Sequence, residues 1–204
     1  MTQITRRFLL SAATAIIAAP AFAQSADTPE LVEIEDIVIG ADDAPVTVIE
    51  YASFTCPHCA RFHEGPYKQL KEEFIDTGMV KFIYREVFFD REGLWAAMLA
   101  RCAGPERYMS VADMIYEQQS TWPVRNDPAQ TEANLKKIGL VAGLDQATLD
   151  ACFTDRTYAM SLVENYRANA AQDGVNSTPT LVVNGRKYNN LPYEELKNIV
   201  ERNM

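Results

Sequence analysis

The segment best suited to chemistry is Cys56-Pro57-His58-Cys59, where two cysteines are separated by two residues. Cysteines at this spacing can bind a metal ion, form a structural disulfide or carry out thiol–disulfide exchange. A structural zinc site requires four ligands. The chain has four cysteines and two histidines but no second closely spaced cysteine pair. The pattern therefore favours redox chemistry, with zinc binding and an inert disulfide as the alternatives.

The residues on either side predict where these sulfur atoms lie. Residues 46–54 (VTVIEYASF) form a β-branched and aromatic run, typical of a strand buried on both faces. Apolar residues then recur at helical spacing up to about residue 74, which places Cys56 at the N-terminus of a helix. Free backbone amides and the helix dipole stabilise an anion there, and this lowers the pKa of a thiol.

This placement assigns a different role to each residue of the motif. Cys56 is predicted to be the exposed, attacking sulfur, and Cys59, one turn further on, the sulfur that resolves a mixed disulfide. Pro57 suits the first helical turn, where its missing amide donor is not needed. His58, when protonated, adds positive charge near the Cys56 thiolate. A stabilised thiolate favours the reduced form, so the disulfide should be an oxidant.

The wider pattern predicts an α/β fold. Strand character is found at residues 32–39, 46–54 and 80–89, and returns at 180–183 and 186–188 around an Asn-Gly hairpin signal. Five helical pieces are predicted in between, at residues 94–103, 106–118, 134–142, 147–153 and 158–171. A last helix follows the hairpin. This order predicts an α/β layer with an all-helical insertion.

Residues 1–23 have the features of a secretory signal. Arg6 and Arg7 precede an apolar run over residues 8–19, and Ala21-Phe22-Ala23 supplies a small-x-small cleavage site. The alternative is an uncleaved amphipathic first helix, and the paired arginines hint at twin-arginine export. Residues 24–31 are interpreted as a flexible leader. Export implies an oxidising compartment, in which disulfides persist.

The charge of the chain narrows the range of partners. The net charge is −9, and the sequence has no basic run of five or more residues. These properties argue against nucleic acid or an anionic membrane surface as the main partner.

The other two cysteines, Cys102 and Cys152, both fall in the predicted helical insertion. In an oxidising compartment they are predicted to form a structural disulfide with each other. A second redox relay that passes electrons to Cys56 is the alternative. It is disfavoured because neither residue stands at a helix start that would activate its thiol.

The residues from Ala44 to Cys59, together with Asn176-Ser177-Thr178-Pro179-Thr180, resemble the DsbA family of periplasmic dithiol oxidases. The resemblance extends over about residues 36–203. It implies a thioredoxin-like fold, with residues 32–90 and 175–204 forming the thioredoxin-like domain and residues 91–174 the helical insertion. The second cysteine pair points to a branch of the family rather than to its type member.

The resemblance also assigns roles to residues outside the motif. Thr178-Pro179 is expected to be a cis peptide that faces Cys56 and pairs with substrate chains. Glu50 is expected to assist proton transfer at Cys59, with Lys81 of the next strand as its partner. The alternative is a solvated or merely structural pair of charges. His63 is interpreted as a helix-surface residue.

The implied activity is disulfide donation to exported proteins through a mixed disulfide. It implies no cofactor, a DsbB-like membrane protein as reoxidant, a monomeric state and a periplasmic location. A disulfide isomerase or reductase is one alternative, because Thr178 stands where the type oxidase has valine and isomerase-like members often have threonine. A non-catalytic binding module is the other.

Overall fold

A computed structural model describes residues 30–204 of the chain. The predicted signal over residues 1–23 and most of the predicted leader lie outside the described residues. Between residues 30 and 204, no helix is both long enough and apolar enough to cross a membrane.

One mixed sheet of five strands forms the centre of the fold. The strands are β1 (Ile37–Ile39), β2 (Val46–Ala52), β3 (Val80–Glu86), β4 (Thr180–Val183) and β5 (Arg186–Asn189). Their spatial order is β1-β3-β2-β4-β5. β2 pairs with β3 in parallel, and the other neighbouring strands are antiparallel. The strand that leads to Cys56 is thus the central one, hydrogen-bonded on both sides.

The helix after Cys56 is long and contains two wider turns. α1 (Pro57–Phe62) continues into a π-helical turn (His63–Tyr67), then α2 (Lys68–Leu70) and a second π-helical turn (Lys71–Ile75). Pro66 lies inside the first π-helical turn. Proline cannot donate a hydrogen bond and crowds the carbonyl four residues earlier, and a wider turn accommodates both effects.

Five helices follow between β3 and β4, as the sequence predicts. They are α3 (Arg91–Cys102), α4 (Tyr108–Glu117), α5 (Pro128–Val141), α6 (Gln146–Thr154) and α7 (Arg156–Gln172), and α8 (Tyr193–Glu201) closes the chain. Helix α5 begins six residues before its predicted start because its first turns are polar. Its true start is marked by Asp127, whose side chain accepts a hydrogen bond from the amide of Gln130.

The two faces of the sheet are covered by different helices. Val48 and Ala52 of β2 face a large core that includes side chains of α1 and α8. On the other face, Tyr51 packs with Val182 and with Ala170 of α7. Because side chains alternate along a strand, Glu50 lies on the same face as Val48 and Ala52, beneath the helix that carries Cys59.

Candidate active site

Cys56 caps the start of α1, as its place after the central strand predicts. Its backbone is extended, with φ −88° and ψ 117°, and Pro57 occupies the first turn. The carbonyl of Cys56 accepts hydrogen bonds from the amides of Cys59 and Ala60, at 3.1 and 3.2 Å. Its side chain makes no capping bond to the helix backbone, so the sulfur is available for chemistry.

The two sulfurs have very different surroundings. Cys56 is 8% exposed, less than predicted for an attacking residue, whereas Cys59 is fully buried. A hydrogen bond from the Cys59 thiol is the largest cause that lowers the pKa of Cys56, which falls to about 5. Hydrogen bonds from Thr178 and from the backbone amides of Cys59 and His58 lower it further, while burial opposes the change. Burial, the hydrogen bond to Cys56 and the charge of Glu50 raise the pKa of Cys59. Cys56 is therefore a thiolate at neutral pH, and Cys59 is a thiol.

His58 acts on Cys56 through its backbone. The backbone amide of His58 lowers the pKa of Cys56. Its ring lies beside Arg61, whose Nη2 is 2.9 Å from Nδ1. A guanidinium can only donate, so this nitrogen is the acceptor of that contact. The effect of a charged His58 ring on the Cys56 thiolate stays a prediction.

The segment before β4 faces Cys56. The Thr178–Pro179 peptide bond is cis, and the Thr178 carbonyl oxygen lies 3.6 Å from the Cys56 sulfur, within reach of a hydrogen bond when Cys56 is protonated. Pro179 is buried, and β4 then pairs with β2, with Thr180 opposite Tyr51. Pairing with the central strand therefore sets the distance between this segment and the redox motif.

The structure separates Lys81 from Glu50, so the expected pairing of these residues is wrong. Lys81 lies opposite Thr47 in the parallel register, whereas Glu50 lies opposite Tyr84. The alternation of side chains places Lys81 on the other face of the sheet. There its ammonium group binds the carboxylate of Asp42 at 2.8 Å.

His63 takes the position that was expected of Lys81. Its Nε2 lies 3.0 Å from Oε2 of Glu50, and both side chains are essentially fully buried. The interpretation of His63 as a helix-surface residue is therefore wrong. The sequence does contain a signal, because His63 follows Cys59 by four residues and so shares its buried face of the helix.

Sequence reasoning also missed Gln119, which lies just beyond α4. Its Nε2 donates to the carbonyl oxygens of Phe54 and Cys56, at 2.7 and 3.0 Å. Both carbonyls belong to the turn between β2 and α1, so this side chain fixes the redox motif to the helical insertion. No local pattern marks Gln119, because the contact joins residues more than sixty positions apart.

Two open depressions flank the redox motif. One, of about 460 Å³, is bounded by Thr55, Pro57, Asp90, Glu92, Gln119, Pro123, Val124, Arg125 and Asn126. The other, of about 360 Å³, is bounded by His58, Arg61, Phe62, Pro66, Asn190, Leu191 and Pro192. An extended chain that reached Cys56 would therefore find a concave surface on either side of it.

Cys102 and Cys152 form a disulfide that joins the end of α3 to α6, with their Cα atoms 6.3 Å apart. The predicted pairing is present in the structure. Neither residue belongs to the redox motif, whose Cys56 and Cys59 are both in the reduced form.

Comparison with known proteins places this arrangement in a family. A family model described as Thioredoxin matches residues 33–202. The crystal structure of alpha-DsbA1 from Wolbachia pipientis superposes with a TM-score of 0.76 at 26% identity, covering 84% of this chain and 92% of that one. The chain belongs to the DsbA family of thiol–disulfide oxidoreductases. Its predicted class, a thioredoxin-like fold, is confirmed.

Two further relatives of this DsbA-family chain agree with the assignment. The crystal structure of oxidised BdbD from Bacillus subtilis has a TM-score of 0.72 and 28% identity, covering 82% of this chain and 92% of that one. A curated "Putative protein-disulfide oxidoreductase" of Rickettsia bellii is 30% identical over 172 residues. That alignment covers 84% of this chain and 65% of the relative, so the chain spans slightly less than two thirds of the relative's length.

Proposed function

We propose that this chain is a dithiol oxidase that donates its Cys56–Cys59 disulfide to exported proteins through a mixed disulfide. The observation that carries the proposal is the placement of the two cysteines, because Cys56 stands at the start of α1 while Cys59 is fully buried. In these surroundings the pKa of Cys56 is lowered to about 5 and that of Cys59 is raised. A thiolate held at a helix start stabilises the reduced state, and a couple with a stable reduced state is a strong oxidant.

The exchange proceeds in two steps. A substrate thiolate attacks the Cys56 sulfur of the disulfide, and Cys59 leaves with the electron pair and takes up a proton. A second substrate thiolate then attacks the substrate sulfur of the mixed disulfide, and Cys56 leaves as a stable thiolate. Its low pKa makes it a good leaving group. The substrate gains a disulfide, and the protein is left as a dithiol.

The partners follow from this chemistry and from the family. Clients are exported proteins with free thiols, and their extended chains pair with the Thr178 segment, as in strand addition. A DsbB-like membrane protein restores the disulfide. The protein acts in the periplasm as a monomer and needs no cofactor, because the two sulfurs hold the exchanged electrons.

The equilibrium of the Cys56–Cys59 pair with glutathione tests the proposal. We expect a potential above about −200 mV, in the range of oxidising members of the thioredoxin fold. A value near about −270 mV, as in thioredoxin, would instead identify a reductase. Failure of the pair to exchange with glutathione at all would favour a binding module. Efficient reshuffling of a scrambled substrate would favour the isomerase alternative that Thr178 raises.

The low pKa of Cys56 also predicts how stability depends on pH. The ordinary pKa of a cysteine is 9.0, and that of Cys56 in the folded protein is about 5. Between these values the folded dithiol binds fewer protons than the unfolded chain, so its stability rises with pH. The disulfide form has no such thiol. The stability of the reduced relative to the oxidised protein should therefore grow from pH 5 upward and be lost as pH falls through 5.

Urea unfolding of both redox forms between pH 4 and pH 8 measures this difference. Reduced Cys56→Ser provides the control, because it keeps Cys59 but lacks the thiolate. The difference in the free energy of unfolding between this variant and the oxidised protein should therefore not increase with pH. A gap between the two wild-type forms that stayed constant over this range would contradict the assignment of the thiolate to Cys56.

A further inference from the structure

A buried pair of ionisable side chains lies behind the two cysteines, and exchange at the sulfur atoms alone does not explain it. Glu50 is fully buried and His63 is 1% exposed, with Nε2 and Oε2 only 3.0 Å apart. The second carboxylate oxygen of Glu50, Oε1, has no hydrogen-bond partner. Burying a pair of charged groups costs desolvation free energy, so this pair is more easily explained by a function than by stability alone.

The surroundings of His63 favour its charged form. Across the ring from Glu50, Oδ1 of Asp113 on α4 lies 3.8 Å from Nδ1. Burial by itself would lower the pKa of His63, but the charge of Glu50 and the carboxylate of Asp113 raise it to about 9. The imidazole therefore carries a positive charge at neutral pH, between two carboxylates.

Aromatic rings fix the position of the imidazole. Tyr116 of α4 stacks on it at 4.5 Å, Tyr67 of the π-helical turn lies tilted at 4.7 Å, and Tyr84 of β3 meets it edge-on at 5.5 Å. Burial is the largest cause that raises the pKa of each of these phenols above its ordinary value. The carboxyl groups that face His63 are those of Glu50 and Asp113.

Glu50 in turn acts on Cys59, because its charge is one of the causes that raise the pKa of the Cys59 thiol. Glu50 also lies on the sheet face that is covered by the helix carrying Cys59. An unpartnered carboxylate oxygen on that face is suited to accept the proton of the buried thiol. It can do so only while it is ionised. A buried carboxylate without a counter-charge takes up a proton instead.

We propose that His63 is the positioning residue that keeps Glu50 ionised, so that Glu50 can take the proton of Cys59 during reoxidation. This inference rests on the proposed function. Cys56 thiolate first attacks an oxidant disulfide and forms a mixed disulfide. The Cys59 proton then passes to Glu50, and the Cys59 sulfur attacks Cys56. The Cys56–Cys59 bond forms, the bond to the oxidant breaks, and the oxidant sulfur leaves as a thiolate.

Asp113 contributes from the far side of the ring. Its side chain is 39% exposed, unlike those of Glu50 and His63. By favouring the imidazolium it supports the ionised state of Glu50, but water screens this contribution. Helix α4 of the insertion thus takes part in setting the charge behind the redox motif, while Gln119 just beyond this helix fixes the backbone of the motif.

Proton NMR of the unmodified reduced protein gives the first test. The chain has only two histidines, so a His58→Gln variant assigns both imidazole signals. We expect the His63 signal to titrate at about 9, and at least one pH unit lower in Glu50→Gln. Lys81→Met is the matched control and should leave the signal unchanged, because Lys81 lies on the other face of the sheet. A His63 that is uncharged at pH 7 would overturn the proposal.

The second test follows one chemical step. Reduced protein is mixed with glutathione disulfide, and acid-quenched samples are analysed by mass spectrometry for the decay of the Cys56–glutathione adduct. In His63→Phe we expect the acid limb of the rate–pH profile to move up by at least one unit, so that the rate on that limb falls about tenfold. His63→Lys restores a positive charge and should bring the profile back towards that of the wild type.

The outcomes separate the two proposals. If the adduct never forms in the wild-type protein, the proposed function fails. If it forms and resolves but folded His63→Phe has the wild-type profile, only the role of His63 fails. The same conclusion follows if His63→Lys remains as slow as His63→Phe, because then the charge is not what matters. If His63→Phe does not fold, the NMR titration of the unmodified protein decides.

Discussion

A Cys56→Ser variant is expected to lose disulfide donation entirely, with the oxidation of a reduced model peptide falling to the rate without protein. Cys56 supplies the more exposed of the two sulfurs and the stable thiolate leaving group, and a serine hydroxyl replaces neither. With a pKa of about 5, nearly all of this thiol is ionised at pH 7, against only a few per cent of an ordinary cysteine. The expected loss is therefore complete and not a partial change in rate.

Cys59→Ala is the matched variant, and it should fail differently. It loses the hydrogen bond from the Cys59 thiol but keeps the backbone amides that lower the pKa of Cys56. It should therefore still react with glutathione disulfide but accumulate the mixed disulfide, because no second sulfur resolves it. Cys56→Ser should form hardly any adduct, since its remaining motif thiol is fully buried with a raised pKa. Intact-protein mass spectrometry after a short incubation distinguishes the two. Equal adduct formation in both variants would contradict the assigned roles of the two cysteines.

The placement of Cys56 could be read from the sequence because local patterns determine it. The β-branched run over residues 46–54 forms the central strand, and the change to helical spacing places Cys56 at the first turn of α1. Short-range preferences also give the Asn184-Gly185 hairpin, where both residues have positive φ. Each of these features depends on neighbours within a few residues.

The partner of Glu50 could not be read in the same way. The sequence alone allows Lys81 to lie near Glu50, since the two residues belong to strands that are predicted to be neighbours in one sheet. The register decides otherwise, because Lys81 pairs with Thr47 and so points to the opposite face from Glu50. Strand register is set by the packing of the whole sheet. The buried helix face shared by Cys59 and His63 was the better guide.

Residues contributed by α4 and the turn after it were harder still to predict. Gln119, just beyond α4, reaches the redox motif across 63 positions, and Asp113 of α4 reaches His63 across 50 positions. In the sequence they are an ordinary glutamine and an ordinary aspartate. Only the docking of the insertion on the sheet turns them into part of the site. Distant contacts of this kind explain why the motif was easier to predict than the charges around it.

Removing the Cys102–Cys152 disulfide is expected to lower the free energy of unfolding by about 4 kcal/mol, through the entropy of the opened loop. The bond joins positions separated by 50 residues. Both side chains are only partly buried, so the cavity left by alanine should add little. We expect Cys102→Ala, Cys152→Ala and the double variant to be equally destabilised in urea unfolding, because each opens the same loop. If the stability losses of the two single variants instead summed to the loss of the double variant, lost packing and not loop opening would be the cause.

The double variant should still oxidise a peptide at the wild-type rate at urea concentrations below its unfolding midpoint. A double variant that was folded but inactive would show that this pair is a redox relay.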